Sequence, residues 1–303
     1  MSWPRESARA ASSILLCIVS VSEQPSVIRE LPALRAAIRG FREKRERIAL
    51  VPTMGALHEG HLSLVRLARQ AAERVIVSIF VNPSQFGPNE DFATYPRQFD
   101  ADLEALAHSE AGLVWAPATD LMYPHGFATW IVPAGPAVAG LEDNHRPSFF
   151  RGVATVVAKL LLQCLPDAAV FGEKDYQQLK VVEHLVNDLA IPVEIIAAPT
   201  IREPDGLAMS SRNAYLTGAD RQVAPKLYAT LRQAADRIRS GAAIESAMAQ
   251  GRESLTQVGF VLDYFEARDA ETLAVVSEQR SAAIRLLAAA KLGSTRLIDN
   301  ISV

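Results

Sequence analysis

Two cysteines in 303 residues, Cys17 and Cys164, are too few for a disulfide framework and form no metal-ligand cluster. Each sits among apolar neighbours, where an isolated thiol usually serves as a small core side chain, and the expected compartment is reducing. Charge of one sign is scarce too: 31 Lys+Arg against 34 Asp+Glu leave a net −3. That excludes the broad basic footprint of a nucleic-acid binder, so basic groups that matter should be local and aimed at a small anion. Long apolar runs are missing, and with 49% hydrophobic residues the composition is that of an ordinary globular chain with no membrane partner. Internal repeats and low-complexity tracts are absent.

The N-terminus departs from this plainness. Arg5 and Arg9 precede a run from Ala10 to Val19, the outline of a secretory leader, but the run is too short to span a bilayer. The remainder reads as an enzyme using cytosolic ATP, so residues 1–25 are expected to form a poorly ordered extension and the protein to be cytoplasmic. A leader peptide, an extra strand or an over-long start are the alternatives.

From residue 48 to about 200, short β-branched runs alternate with helical stretches. Residues 48–51, 75–81, 113–115, 168–171 and 193–196 read as strands, the first ended by Pro52. Residues 60–73, 151–165 and 175–189 read as helices, with Leu62, Val65, Leu67 and Ala68 on the inner face of the first. Such alternation predicts an α/β fold, a parallel sheet covered on both faces, with ligands bound beyond the strand ends after residues 51, 81, 171 and 196. Residues 218–240 and 243–258 then read as helices and 261–267, 282–290 and 295–301 as strands, a smaller α+β unit. The predicted organisation is 1–25, 26–200 and 201–303.

Chemistry concentrates where strands end. Met54-Gly55-Ala56-Leu57-His58-Glu59-Gly60-His61 runs from a strand through a turn into a helix. Gly55 and Gly60 permit close backbone approach, and the helix start offers unpaired N–H groups to phosphate. Gly55-x4-Gly60 lacks the Lys-Ser/Thr of a P-loop, and His58-Glu59-Gly60-His61 lacks the spacing of a zincin helix. No Gly-x-Gly-x-x-Gly dinucleotide fingerprint occurs in this region. What remains is His-x-Gly-His, two imidazoles and a helix dipole suited to charge building on a triphosphate, unless the pair are ordinary turn histidines.

Three further segments join it. Gly172-Glu173-Lys174-Asp175-Tyr176-Gln177-Gln178 supplies a point charge at Lys174, a cap or ribose partner at Asp175, and Gln178 one turn beyond Lys174. Met209-Ser210-Ser211-Arg212 offers two hydroxyls and a guanidinium for oligophosphate, or simply a serine-capped helix start. Asn82 and Gln85 follow a strand end with Tyr95 nearby, neutral groups that can hold a hydroxy acid, and Asp102 is a carboxylate able to assist Mg²⁺.

Taken together, these motifs closely resemble the pantothenate synthetase (pantoate–β-alanine ligase) family of the His-x-Gly-His nucleotidylyltransferase superfamily, over about residues 26–303. The resemblance implies a Rossmann-like domain with a C-terminal lid, in a homodimer. It implies that pantoate attacks the α-phosphorus of Mg·ATP and that β-alanine then attacks the resulting acyl-adenylate, releasing AMP. His61 would be the proton donor, with His58 and Lys174 as catalytic partners. ATP would lie on Met54 to His61, Gly172 to Asp175, Ile201, and Met209 to Arg212. Gln85 would bind pantoate and β-alanine, and Gln178 pantoate. Phe149 stands where members commonly carry His, and Ala101 where some carry a second acid beside Asp102. Another His-x-Gly-His transferase using no amine, or a silent ATP-binding scaffold, are the competing classes.

Overall fold

Six parallel strands form the main sheet of the computed structural model, which describes residues 24–88, 90–109, 111–276 and 283–303. The expected extension lies outside the described residues but for its last two positions, and Cys17 lies outside them too. The strands are β1 (Ser26–Ile28), β2 (Ile48–Thr53), β3 (Arg74–Ile79), β4 (Leu113–Trp115), β5 (Ala168–Gly172) and β6 (Glu194–Ala198), in the order β1-β4-β3-β2-β5-β6. Alternation of side chains divides each strand between two cores. Ile48, Leu50, Ile76, Leu113, Trp115, Ala169 and Phe171 enter one, with α1 (Leu31–Glu43), α6 (Phe149–Cys164) and α7 (Tyr176–Asp188). Ala49, Val51, Val75, Val77, Val114, Ala168 and Val170 enter the other, with α2 (Glu59–Ala71) and α3 (Phe99–Ala107). Burial on both faces explains why these strands read as continuous apolar runs. Helices α4 (Thr119–Met122) and α5 (Glu142–His145) are single turns.

Two expectations change in this half. Strand β2 continues through Pro52 to Thr53, pairing with Ser78 and Ile79. Proline is tolerated there because the ladder with β5 on the other side has ended at Leu50. On α2 the buried residues are Leu64, Val65 and Ala68, with Leu62 and Leu67 packed at the margin. The predicted face was rotated by part of a turn.

The remaining chain forms α8 (Gly218–Val223), α9 (Lys226–Arg239), α10 (Ile244–Gln257) and an antiparallel sheet of β7 (Val261–Asp269), β8 (Ile284–Leu292) and β9 (Thr295–Ser302), ordered β7-β8-β9. The single helix expected over 218–240 is two, because Pro225, lacking an N–H, stands between them. Central strand β8 buries Leu286, Ala288, Ala290 and Leu292 against α9 and α10, while Leu287 and Ala289 join the first core. The small sheet is therefore sandwiched between its own helices and the larger sheet's helices. Among the described residues no helix is long and apolar enough to cross a membrane.

Candidate functional site

From β2 the chain builds β3 and β4 on one side, then crosses to build β5 and β6 on the other. Loops leaving β2 and β5 therefore diverge, and a crevice opens at their carboxyl ends. A cavity of about 840 Å³ occupies it. Met54, His58, Gly60 and His61 line it from the first segment; Gln85 and Tyr95 come from the second, and Gly172, Lys174, Asp175 and Gln178 from the third. Ile201, Met209, Ser210, Ser211 and Arg212 close it from the fourth. Segments more than 100 positions apart meet at one switch in strand order.

The two histidines cap the helix start as well as line the cavity. His58 Nδ1 accepts the Gly60 N–H at 3.1 Å, and His61 Nδ1 accepts the His58 N–H at 3.3 Å. A ring nitrogen that accepts cannot carry the proton, so each neutral imidazole is the Nε2–H tautomer. Burial, with the Lys174 charge added, pushes His58 down to about 4. Burial, then His58 and Lys174, pushes His61 down to about 3. Both rings, their centroids 4.1 Å apart, line the cavity and are held neutral at pH 7, with Nε2–H as the donor not spent on the backbone. Gly60 makes this possible, since a Cβ there would meet His58 Cε1 at 2.8 Å.

That arrangement revises two expectations. The helix start does not offer a row of free N–H groups: Ala56 and Leu57 donate to Asp102, His58 to His61, and Gly60 to His58. The imidazoles stand between the positive end of α2 and the cavity and carry its polarity outward. The proton-donor role expected of His61 meets a ring that burial, His58 and Lys174 hold neutral at pH 7, the form that gives a hydrogen bond.

The depressed values also set a stability trend. Unfolded histidine binds a proton below about 6.5 while these folded rings stay neutral, so the unfolded state binds more protons as pH falls. Their contribution is intact above pH 6.5 and is lost as pH drops toward about 4 for His58 and about 3 for His61. Thermal midpoints measured from pH 7 to pH 4 are expected to fall more steeply in the wild type than in a His58→Asn/His61→Asn variant. Equal slopes would contradict the buried, neutral assignment.

Several expected ligands have other work. Asp102 is 2% exposed and its two oxygens accept the Ala56 and Leu57 N–H groups at 3.0 and 2.8 Å. It holds the turn in which Gly55 and Ala56 are both left-handed (φ +81° and +51°), and its two oxygens, expected to assist Mg²⁺, face backbone N–H groups. Asn82, 1% exposed, accepts from Ser84 and Tyr123 and donates to Gln85 Oε1 at 2.9 Å, so its polar atoms are engaged within the protein and orient Gln85. Glu173 turns to Arg285 at 3.0 Å, and Glu59 pairs with exposed Arg66. Gly55, Ala56, Leu57, Glu59 and Glu173 do not line the cavity, and neither do Asn82 and Asp102.

The charged and amide groups that do line it are poised differently. Lys174 lies 3.8 Å from Asp175. Gln178 has no hydrogen-bond partner among the described residues. Arg212 is bound at both Nε and Nη2 by Asp91, at 3.0 and 2.9 Å; burial opposes its charge and that carboxylate more than restores it. Tyr95 reaches Ser211 Oγ at 3.3 Å and packs edge-on against Phe86, the neighbour of Gln85. Ser210 caps the short turn Ser211–Tyr215 by accepting from Arg212 N, the local role its sequence allowed. A far wall of Glu142, Arg146, Tyr264 and Arg296 was not anticipated. Arg296 binds Glu142 at 2.8 Å through two nitrogens and Tyr264 donates to it at 2.8 Å, contacts between residues more than 120 positions apart that carry no local signal.

With this geometry in place, the family model described as pantoate-beta-alanine ligase matches residues 26–302. The chain belongs to the pantoate–β-alanine ligase family. Among curated relatives, pantothenate synthetase 2 of Bradyrhizobium diazoefficiens is 58% identical over 283 residues, 93% of this chain and 100% of the relative. The pantothenate synthetase of Rhodopseudomonas palustris is 56% identical over the same coverage. Among solved structures, the Thermus thermophilus pantothenate synthetase superposes with a TM-score of 0.86 at 44% identity, covering 91% of this chain and 98% of that one. The Francisella tularensis pantoate-beta-alanine ligase, solved with beta-gamma ATP and beta-alanine, gives a TM-score of 0.77 at 35% identity, covering 92% and 97%. The ligase family thus spans both sheets of the chain and the cavity between them.

Proposed function

We propose that the ATP-dependent pantoate–β-alanine ligase activity of this chain runs in the cavity at the β2/β5 switch point. The observation that carries this is the pair of neutral imidazoles of His58 and His61, lining one cavity together with Lys174, Gln85 and Gln178. Gln85 and Gln178 hold the pantoate hydroxyls and leave its carboxylate free to attack the α-phosphorus. In that step a P–O bond to pyrophosphate breaks as the acyl–phosphate bond forms. Charge gathers on the phosphoryl oxygens, where two fixed imidazole donors and Lys174 stabilise it more than they stabilise the ground state. The β-alanine amine then attacks the acyl carbon and AMP departs.

Arg212 joins the triphosphate by exchanging Asp91 for phosphate oxygens, so the 209–212 loop acts as part of a closing lid over residues 201–303. Mg²⁺ enters as the counterion of ATP and needs few protein carboxylates. No cluster of three metal-type ligands occurs among the described residues, and Asp175, whose charge is felt at His58, is the candidate partner. A cytoplasmic homodimer completes the reading, and sedimentation of the purified protein tests the dimer.

The decisive assay supplies ATP, Mg²⁺, pantoate and β-alanine and follows AMP. Formation of AMP that requires both pantoate and β-alanine is the expected result. Nucleotide turnover unchanged when β-alanine is omitted would point instead to a transferase using no amine.

A further inference from the structure

Arg146, between α5 and α6, holds the segment that presents Gln85. Its Nη2 donates to the Gln85 carbonyl at 2.8 Å, while Nε and Nη2 both reach the Glu90 carboxylate at 2.7 Å. A guanidinium offers its donors in one plane, so rotating that plane costs the Glu90 pair and the Gln85 contact together. The plane lies on the face of Phe149, whose centroid is 3.8 Å from the guanidinium carbon. Backbone geometry fixes the stack, because the Phe149 N–H donates to the Arg146 carbonyl at 3.0 Å. Phe150 packs edge-on against the ring.

From the other side, α6 presses its backbone onto the same turn. A Cβ on Gly152 would stand 2.3 Å from the Ser84 carbonyl oxygen, so Pro83–Gln85 is wedged against the helix with no room to drift. Asn82 Nδ2 occupies Gln85 Oε1, which leaves the Gln85 amide nitrogen as the group facing a ligand. The Gln85 N–H is held by the Asn82 carbonyl within the turn, and the side chain that holds the Gln85 carbonyl is Arg146.

We propose that Phe149 and Arg146 are positioning residues for Gln85: the phenyl face sets the guanidinium plane, and the guanidinium sets where the Gln85 amide stands. This rests on the reading of Gln85 as a pantoate contact. A partly buried cation on an aromatic face is held more firmly than one on an aliphatic side chain of similar bulk. The ring at 149 therefore acts on hydroxy-acid binding without touching the nucleotide end.

Steady-state kinetics on Phe149→Leu, Phe149→Tyr, Gln85→Ala and the Phe149→Leu/Gln85→Ala double variant test this. Phe149→Leu is expected to raise the KM for pantoate by roughly tenfold, the scale of a lost cation–π contact, with the KM for ATP and the thermal midpoint little changed. Phe149→Tyr keeps a ring under the guanidinium and is expected to recover the wild-type KM. In the Gln85→Ala background Phe149→Leu should add less than twofold, because its route to substrate is already cut. The same factor in both backgrounds, an equal rise for ATP, no rise at all, or failure of Phe149→Tyr to recover would overturn the proposal. If Gln85→Ala leaves the pantoate KM unchanged, the reading of Gln85 falls. Phe149→Leu then overturns the proposal as well, since any effect it has cannot pass through that residue.

Discussion

Replacing His61 by alanine is expected to lower kcat by roughly 10²-fold or more, the scale of losing a fixed donor to developing phosphoryl charge. The neutral Nε2–H lines the cavity, while Nδ1 is spent on the His58 N–H. Alanine removes both, so a modest stability loss of about 1 kcal/mol, that of a missing helix cap, accompanies the kinetic effect. His61→Asn separates the two roles. Its amide oxygen reaches the place of Nδ1 and can keep the cap, but nothing stands at Nε2. The asparagine variant should therefore melt close to the wild type yet remain as slow as the alanine one. Wild-type turnover by His61→Asn would mean that the histidine serves only the helix.

Asp102→Asn should damage both fold and activity, although the residue does not line the cavity. The carboxylate meets two backbone donors in a nearly dry position. An amide supplies one oxygen and turns an NH₂ toward the other N–H, leaving a buried donor unmatched at a cost of roughly 2–4 kcal/mol once the lost charge-assisted bond is included. Gly55 and Ala56 then relax from their left-handed conformations, and the histidine turn that follows loses its register. The expected result is a clear fall in thermal midpoint with kcat/KM for ATP down by about tenfold or more. The Mg²⁺ concentration giving half-maximal rate should not move. A large shift in that concentration at unchanged stability would restore Asp102 as a metal ligand.

Which parts of this molecule could be read from its sequence follows the range of the interaction concerned. The alternation of Ile48-Ala49-Leu50-Val51 and of Val75-Ile76-Val77 is local, and it placed strands on a parallel sheet correctly. The pairing of His58 with His61 is also local, three residues along one turn, and the spacing alone rejected the P-loop and zincin alternatives. Pro52 misled because proline was judged without knowing that the neighbouring ladder stops at Leu50. Pro225 was passed over inside an alanine-rich amphipathic stretch, where periodicity outvoted its missing N–H. Helix α1 and strand β1 were not anticipated at all. A polar residue near a motif looks the same in sequence whether it faces a cavity or turns to the protein's own groups, as Asp102, Asn82 and Glu173 do. Partners of theirs lie 46, 41 and 112 positions away, distances no window reports. The same blindness hid Asp91, the counterion of Arg212.

One tie has a meaning for the order in which the molecule is made. Asn300 donates to the Glu173 and Lys174 carbonyls at 2.9 Å each, and Arg285 grips both Glu173 and Asn300. The turn that carries Lys174 is thus pinned by a residue 126 positions later in the chain. Until β9 docks, that turn lacks these anchors, so the lysine side of the cavity takes its final shape only when the C-terminal strand is in place.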